Sequence, residues 1–308
     1  MNIDAPGSME ERQREGSVHT RGENMEPAFK NIIYEKNEEI ATITINRPHV
    51  LNELNRETLE EIKNALADAE RDRNVRVVII TGSGPQALAF NEEEEYPLLR
   101  FYRSQDPQAF CAGADVAELR KLSPDEVSDL VELGREVFNL IENLDRPVIA
   151  AVNGDALGAG FELAMACDII IASDKARFGH TEVNLGVMPS WGGTQRLTRL
   201  IGTKKAQEMI SLGSIIGANE ALDMKIINKV VPEEKLMEEA VTLAKSIASK
   251  SPLVLKLAKK AINAALEMPL SKGIVYEQRL YMLLLSSEDA KEGISAFLEK
   301  RKPVWKGK

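Results

Sequence analysis

Short β-branched runs alternate with amphipathic stretches through most of the chain, and this alternation limits the possible folds more than any other feature. Ile40-Ala-Thr-Ile-Thr-Ile45 has the two-residue period of a strand. Leu59, Ile62, Leu66 and Ala69 then repeat at spacings of three and four, the apolar stripe of a helix, with Thr58 and Glu61 placed to form a capping box at its start. Residues 75–81 read as a second strand and 125–143 as a second helix. Val148–Val152 reads as a strand, 158–166 opens a helix, and 168–172 and 226–231 read as strands again. Regular alternation of this kind predicts an α/β architecture.

From Pro232 onward the pattern is helical. Leu236, Ala240, Leu243 and Ile247 form one stripe, and Leu253, Leu257, Ala261 and Ile262 another. The expected organisation is therefore an α/β core over 28–231 and a C-terminal helical region over 232–308. Residues 1–27 are polar and aperiodic and read as a flexible tail, or as an expression remnant around Gly7-Ser8. Residues 85–107 carry Glu92–Glu95 and read as a surface insertion, placed where a lid over an adjacent site would sit.

The charge balance excludes several classes of function. A net charge of −9 argues against nonspecific binding to nucleic acid or to an anionic membrane, which needs a basic face. No apolar run approaches the roughly 20 residues of a membrane span. The first residues lack the apolar segment of a secretory signal. Cys111 and Cys167 are too few and too far apart for a disulfide framework or a zinc site, and fit packing residues in a reducing cytoplasm.

Three segments carry the residues able to do chemistry: Ala109-Phe-Cys-Ala-Gly-Ala-Asp115, Asn153-Gly-Asp-Ala-Leu-Gly-Ala-Gly-Phe-Glu-Leu-Ala-Met165, and Phe178-Gly-His-Thr-Glu-Val-Asn-Leu-Gly186 with its continuation to Gln195. In the second, glycines surround a strand-to-helix junction. The first N–H groups of a helix lack intrahelical partners and, with the helix dipole, suit an oxyanion. Glu162 lies in that first turn. Taken singly, a first-turn glutamate also has a plain stabilising explanation, and Glu182 could be a solvated loop residue. Gly158-Ala-Gly160 is a poor match to a dinucleotide fingerprint, lacking its third glycine and its acidic ribose ligand.

Taken together, the three motifs resemble the crotonase superfamily of enoyl-CoA hydratases and isomerases. The resemblance runs from about Phe29 to Lys308, apart from the insertion, with Asn46-Arg-Pro48 and Asn52 upstream and the segment from Gly293 to Arg301 downstream. It implies a ββα spiral core and a C-terminal helical region that mediates trimerisation, with a trimer or a dimer of trimers as the assembly. It implies an oxyanion hole built from the Ala114 and Ala159 backbone amides, with Glu162 activating water and Glu182 delivering a proton. Asn52, Glu53, Gly113, Asp115, Gly158, Tyr281, Phe297 and Lys300 fall at substrate- or CoA-contacting positions. The implied reaction is hydration of a short-chain trans-2-enoyl-CoA, with CoA as part of the substrate and no separate cofactor or metal. Double-bond isomerisation, or a non-catalytic RNA-binding role, remains the alternative. Two departures bear on CoA binding: Gln108 stands where relatives often carry Lys, and Glu53 where many carry Ala. Arg100 or Arg103 of the insertion is placed to substitute for the missing cation.

Overall fold

A computed structural model describes residues 29–84 and 108–308. The N-terminal tail, the proposed lid and Arg100 and Arg103 lie outside the described residues. Two sheets organise the rest. The larger contains β1 (Ile32–Asn37), β2 (Ile40–Ile45), β3 (Val77–Gly82), β5 (Val148–Val152), β7 (Ile169–Ser173) and β10 (Lys229–Val231), in the order β1-β2-β3-β5-β7-β10. β1 and β2 form an antiparallel hairpin whose turn places Glu38 at φ 53°, and every later pair is parallel.

Both faces of this sheet are covered, which explains the nearly continuous apolar runs. On β3, Val78 and Ile80 point into the main core with Leu59, Ile62 and Leu66 of α1 (Arg56–Arg71) and Phe138 of α3 (Pro124–Asn143). Val77 and Ile79 point the other way, towards Leu236, Ala240 and Ala244 of α8 (Leu236–Ala248). The two-residue period of the strand thus serves two separate cores.

The smaller sheet consists of β4 (Ala109–Cys111), β6 (Asp155–Leu157), β8 (Arg177–Gly179) and β9 (Ile215–Gly217), in the order β4-β6-β8-β9. β4, β6 and β8 run parallel, and β9 is antiparallel to β8. Strands this short hold too few residues to show a period, so they are not evident in the sequence. The remaining helices are α2 (Val116–Leu119), α4 (Ala159–Ala166), α5 (Gly193–Ile201), α6 (Thr203–Leu212), α7 (Ala218–Asp223), α9 (Pro252–Ala264), α10 (Leu270–Leu285) and α11 (Glu288–Leu298). None of the described helices is long and apolar enough to cross a membrane.

The structure corrects three local expectations. The cap of α1 is Asn55, whose side chain accepts from Thr58 N at 2.9 Å, while Glu61 accepts instead from Asn31 N and Ile32 N of the first strand. The last strand of the large sheet starts at Lys229, three residues later than expected: Ile226 N still donates to Ala221 O of the preceding helix, and Ile170 N donates to the Asn228 side chain in place of a backbone carbonyl. Ile262, assigned to a buried stripe, is exposed. Beside Leu257, the residue of α9 that turns inward is Lys259.

Lys259 Nζ donates to Ile141 O at 3.1 Å, Arg146 O at 3.2 Å and Asp168 Oδ2 at 2.7 Å. Asp168 Oδ2 also accepts from Val148 N at 2.7 Å, so the C-terminal helices are tied to the start of β5. Burial pushes the Asp168 carboxyl up, and the Lys259 charge opposes that. Lys259→Met would leave this carboxylate without its cation, and should destabilise the protein by about 3 kcal/mol or more. Urea unfolding measures this, and an unchanged midpoint would contradict it.

Candidate active site

The three motif segments become neighbours because they leave the carboxyl ends of three adjacent parallel strands. Such strand ends are where open α/β sheets gather ligand sites. β4 leads to Ala114, β6 leads to Gly158 and α4, and β8 leads to His180 and Glu182. Close backbone approach locks the strand ends together. A Cβ on Gly160 would lie 1.9 Å from Cys111 O, one on Gly113 would lie 3.5 Å from Leu157 O, and Gly158 N donates to Gly179 O at 2.9 Å.

Two backbone amides are left over at this junction. Leu54 N bonds Gly113 O and Asp115 N bonds Leu54 O, while no hydrogen bond among the described residues uses the Ala114 N–H. Ala159 is the first residue of α4, and its N–H is likewise unused among the described residues. The positive φ of this turn, 50°, falls on Gly158 rather than on Ala159, so alanine fits where many relatives have glycine.

Glu162 is buried in the first turn of α4. Its Oε1 accepts from Trp191 N at 2.8 Å and Gly193 N at 2.7 Å, and Oε2 has no hydrogen-bond donor among the described residues. Burial pushes its carboxyl up to about 7, against the pull of those two amides and of His180, while the Glu182 charge pushes it further. Gly193 has to be glycine, since a Cβ would meet His180 Cε1 at 2.4 Å and Glu162 Cγ at 2.9 Å. Trp191 is fixed in turn: its ring meets Phe138 edge-on at 5.4 Å and occupies the space left by Gly134 of α3. In the sequence these donors lie unmarked within the continuation of the third segment to Gln195. The one signal was Gly134 inside an otherwise regular helical pattern.

Glu182 opens a short 3-10 turn (Glu182–Leu185) beside Gly158, at whose Cβ position its Oε1 would be 3.4 Å away. Oε1 also lies 3.4 Å from His180 Nδ1, and Oε2 is buried without a partner among the described residues. His180 is itself fully buried, with its ring 5.0 Å from that of Phe161. The imidazole is therefore packed into the same wall as both glutamates.

The other positions named from the sequence divide into two groups. Asn52 is buried in the support of the first loop: Oδ1 accepts from Arg47 N and Ser83 Oγ, and Nδ2 donates to Ala109 O at 2.7 Å and Ser83 O. Asp115 caps α2 by accepting from Glu118 N, and pairs with Arg47 at 2.9 Å. Glu53 is buried between them, and its Oε2 has no partner among the described residues. Tyr281 and Phe297 are exposed on α10 and α11, Lys300 follows α11 at φ 55°, and no described hydrogen bond or ion pair joins any of them to the strand ends. Gln108, in place of the expected lysine, uses its carbonyl to accept from Asp155 N. Cys111 and Cys167 are buried free thiols.

Burial pushes the Glu53 carboxyl from 4.5 to about 8, with Asp115 adding to the shift and Arg47 opposing it. A carboxyl raised on folding stabilises fully below its unfolded value, and that stability is lost as pH rises towards the folded value. Glu53→Gln removes the titrating group. The stability of the variant relative to the parent should therefore climb between about pH 5 and pH 8. Parallel stability–pH curves for the two proteins would refute this.

Residues 35–93 and 103–308 match the family model described as enoyl-CoA hydratase/isomerase. Among curated relatives, a crotonyl-CoA hydratase of Syntrophomonas wolfei is 42% identical over 275 residues, covering 89% of this chain and 97% of the relative. A short-chain-enoyl-CoA hydratase of Clostridium acetobutylicum is 41% identical over 274 residues, covering 89% and 97%. The crystal structure of an enoyl-CoA hydratase from Bacillus anthracis superposes with a TM-score of 0.80 at 38% identity, covering 91% of this chain and all of that one.

Proposed function

The chain belongs to the enoyl-CoA hydratase/isomerase family and has its crotonase-type fold, and from that premise we propose that it hydrates short-chain trans-2-enoyl-CoA thioesters to 3-hydroxyacyl-CoA. The observation that carries the reading is the paired state of Glu162 and Glu182. Each carboxylate meets the protein through Oε1 and leaves Oε2 without a described protein donor, beside two unused backbone amides.

Addition of water to the double bond needs a base for water at C3, a proton for C2, and stabilisation of the enolate-like thioester oxygen between them. Glu162, with its carboxyl near 7, is suited to take the proton from water at neutral pH. Glu182 delivers the proton to C2. The Ala114 and Ala159 amides receive the thioester oxygen, whose negative charge grows towards the transition state. The overall addition is redox-neutral, so CoA enters as part of the substrate and no further cofactor is needed.

A short acyl chain is favoured by the names of the two curated relatives. The retained glutamate pair weighs against an isomerase, and the acidic composition against an RNA-binding role. We further place the enzyme in the cytoplasm, in fatty-acid β-oxidation, as a trimer or dimer of trimers. The assembly is supported by the exposed large apolar side chains of Leu270, Ile274, Met282, Phe297 and Leu298 on the C-terminal helices, which burial against another subunit would remove from water. Sedimentation gives the mass.

The decisive assay follows loss of the conjugated enoyl-thioester absorbance on addition of crotonyl-CoA and longer homologues. Turnover that falls with chain length is expected. Absence of turnover at every length would overturn the hydratase reading.

A further inference from the structure

A cavity of about 380 Å³ opens at the opposite end of the large sheet from the glutamates. Its walls come from the end of α1, the residues entering β3 and β5, the first turn of α9, and the C-terminal segment at Lys306. Arg76 immediately precedes β3, whereas Ser83, just beyond the other end of β3, supports the Ala114 loop through Asn52. Six strand residues separate the two ends, roughly 20 Å at the usual rise. The cavity is thus a separate place in the fold from the candidate active site.

Its lining is basic in a chain whose net charge is −9. Arg71, Arg73, Arg76, Arg146, Lys256 and Lys306 face Glu70 and Asp145. Asp145 is held by Lys256 and Lys260, and Lys306 pairs with Glu288 at 3.1 Å, while Arg71, Arg73 and Arg146 have no ion-pair partner among the described residues. Arg146 is anchored with Nε donating to Val75 O at 2.7 Å, which fixes one guanidinium in the wall. Arg76 carries the more telling feature: its Nη1 is buried and has no hydrogen-bond acceptor among the described residues. Its nearest acid is Glu39, 3.7 Å from Nε. A buried donor without an acceptor calls for a ligand or a water, because its desolvation is otherwise uncompensated.

We propose that this cavity binds a small phosphate-bearing anion, gripped by Arg76 and flanked by Arg71, Arg73 and Lys306. Guanidinium groups crowded on the connection from α1 to β3, with Arg146 supplied by the residues entering β5, present planar forks that match phosphate oxygens better than isolated lysines do. The spread of cations across the cavity suits a diphosphate rather than a single monoanion. The diphosphate can come from a nucleotide or be inorganic, and the two sources differ in whether the base contributes.

Calorimetric titration of the full chain with inorganic pyrophosphate and, separately, with ADP tests the proposal. Saturable binding is expected, and Arg76→Gln should weaken pyrophosphate binding tenfold or more. Arg73→Gln, an exposed change that leaves folding alone, should weaken it several-fold. Neither variant should alter turnover of crotonyl-CoA, since the cavity lies at the far end of the strands. ADP binding tighter than pyrophosphate, with the same loss in Arg76→Gln, identifies a nucleotide, and equal affinities identify an inorganic diphosphate. No saturable pyrophosphate binding up to roughly 10 mM, or unchanged affinity in both variants, overturns the proposal.

Discussion

Glu162→Gln should lower kcat for crotonyl-CoA by roughly 10²- to 10⁴-fold, the usual range for loss of a positioned acid or base. The change is nearly isosteric. The amide oxygen of Gln can still accept from Trp191 N and Gly193 N, so the loop after β8 keeps its anchor. What disappears is a carboxylate able to take a proton from water. Stability should move the other way. The Glu162 carboxyl is raised by burial from 4.5 to about 7, so the parent loses stability as pH rises through that interval while Gln does not. At pH 8 the variant should be at least as stable as the parent while almost inactive, as expected of a buried charge kept for function. The parent's rate should fall as pH drops below about 7, where Glu162 becomes protonated. Glu182→Gln should give a loss of similar order. Stopped-flow rates with both variants decide the matter. If each keeps the parental rate, the glutamates are not the acid/base pair, whatever reaction the protein catalyses.

Legibility in the sequence follows how locally each feature is determined. β2 and β5 occupy the residues expected, because burial on two faces demands an unbroken apolar run, and such runs are visible without knowing their neighbours. β4, β6 and β8 have three residues each and are strands only because each finds the next. Glu162 and Glu182 were identifiable as a pair through three motifs in the right order, while either alone had a bland explanation. Their surroundings were hidden, since the amides of Trp191 and Gly193 reach Glu162 across about thirty residues of chain and belong to backbone, which carries no residue-type signal. Lys259 shows the opposite failure. Helical periodicity assigned an apolar face to α9, yet Ile262 of that face is exposed, and buried Leu257 shares the interior with a lysine whose three acceptors lie over ninety residues away.

The largest structural effect is expected from one methyl group at the same junction. A Cβ on Gly160 would sit 1.9 Å from Cys111 O, 2.7 Å from Cys111 C and 2.8 Å from Cys111 Cβ. Two of those atoms are backbone, held in a strand that pairs with β6, so no rotamer change makes room. Either the Cys111–Asp115 loop or the start of α4 has to move, and each carries one of the two amides assigned to the thioester oxygen. Gly160→Ala should therefore cost about 3 kcal/mol or more, above the common range for overpacking because backbone rather than side chain must yield. It should also lower kcat by roughly 10²-fold or more, as expected when an oxyanion donor is displaced. At equal folded fraction, with KM for crotonyl-CoA measured alongside, displaced donors lower kcat in the surviving folded enzyme, whereas pure destabilisation lowers only the amount of it. Full kcat per folded molecule in Gly160→Ala would dissociate the contact between Gly160 and Cys111 from the oxyanion site.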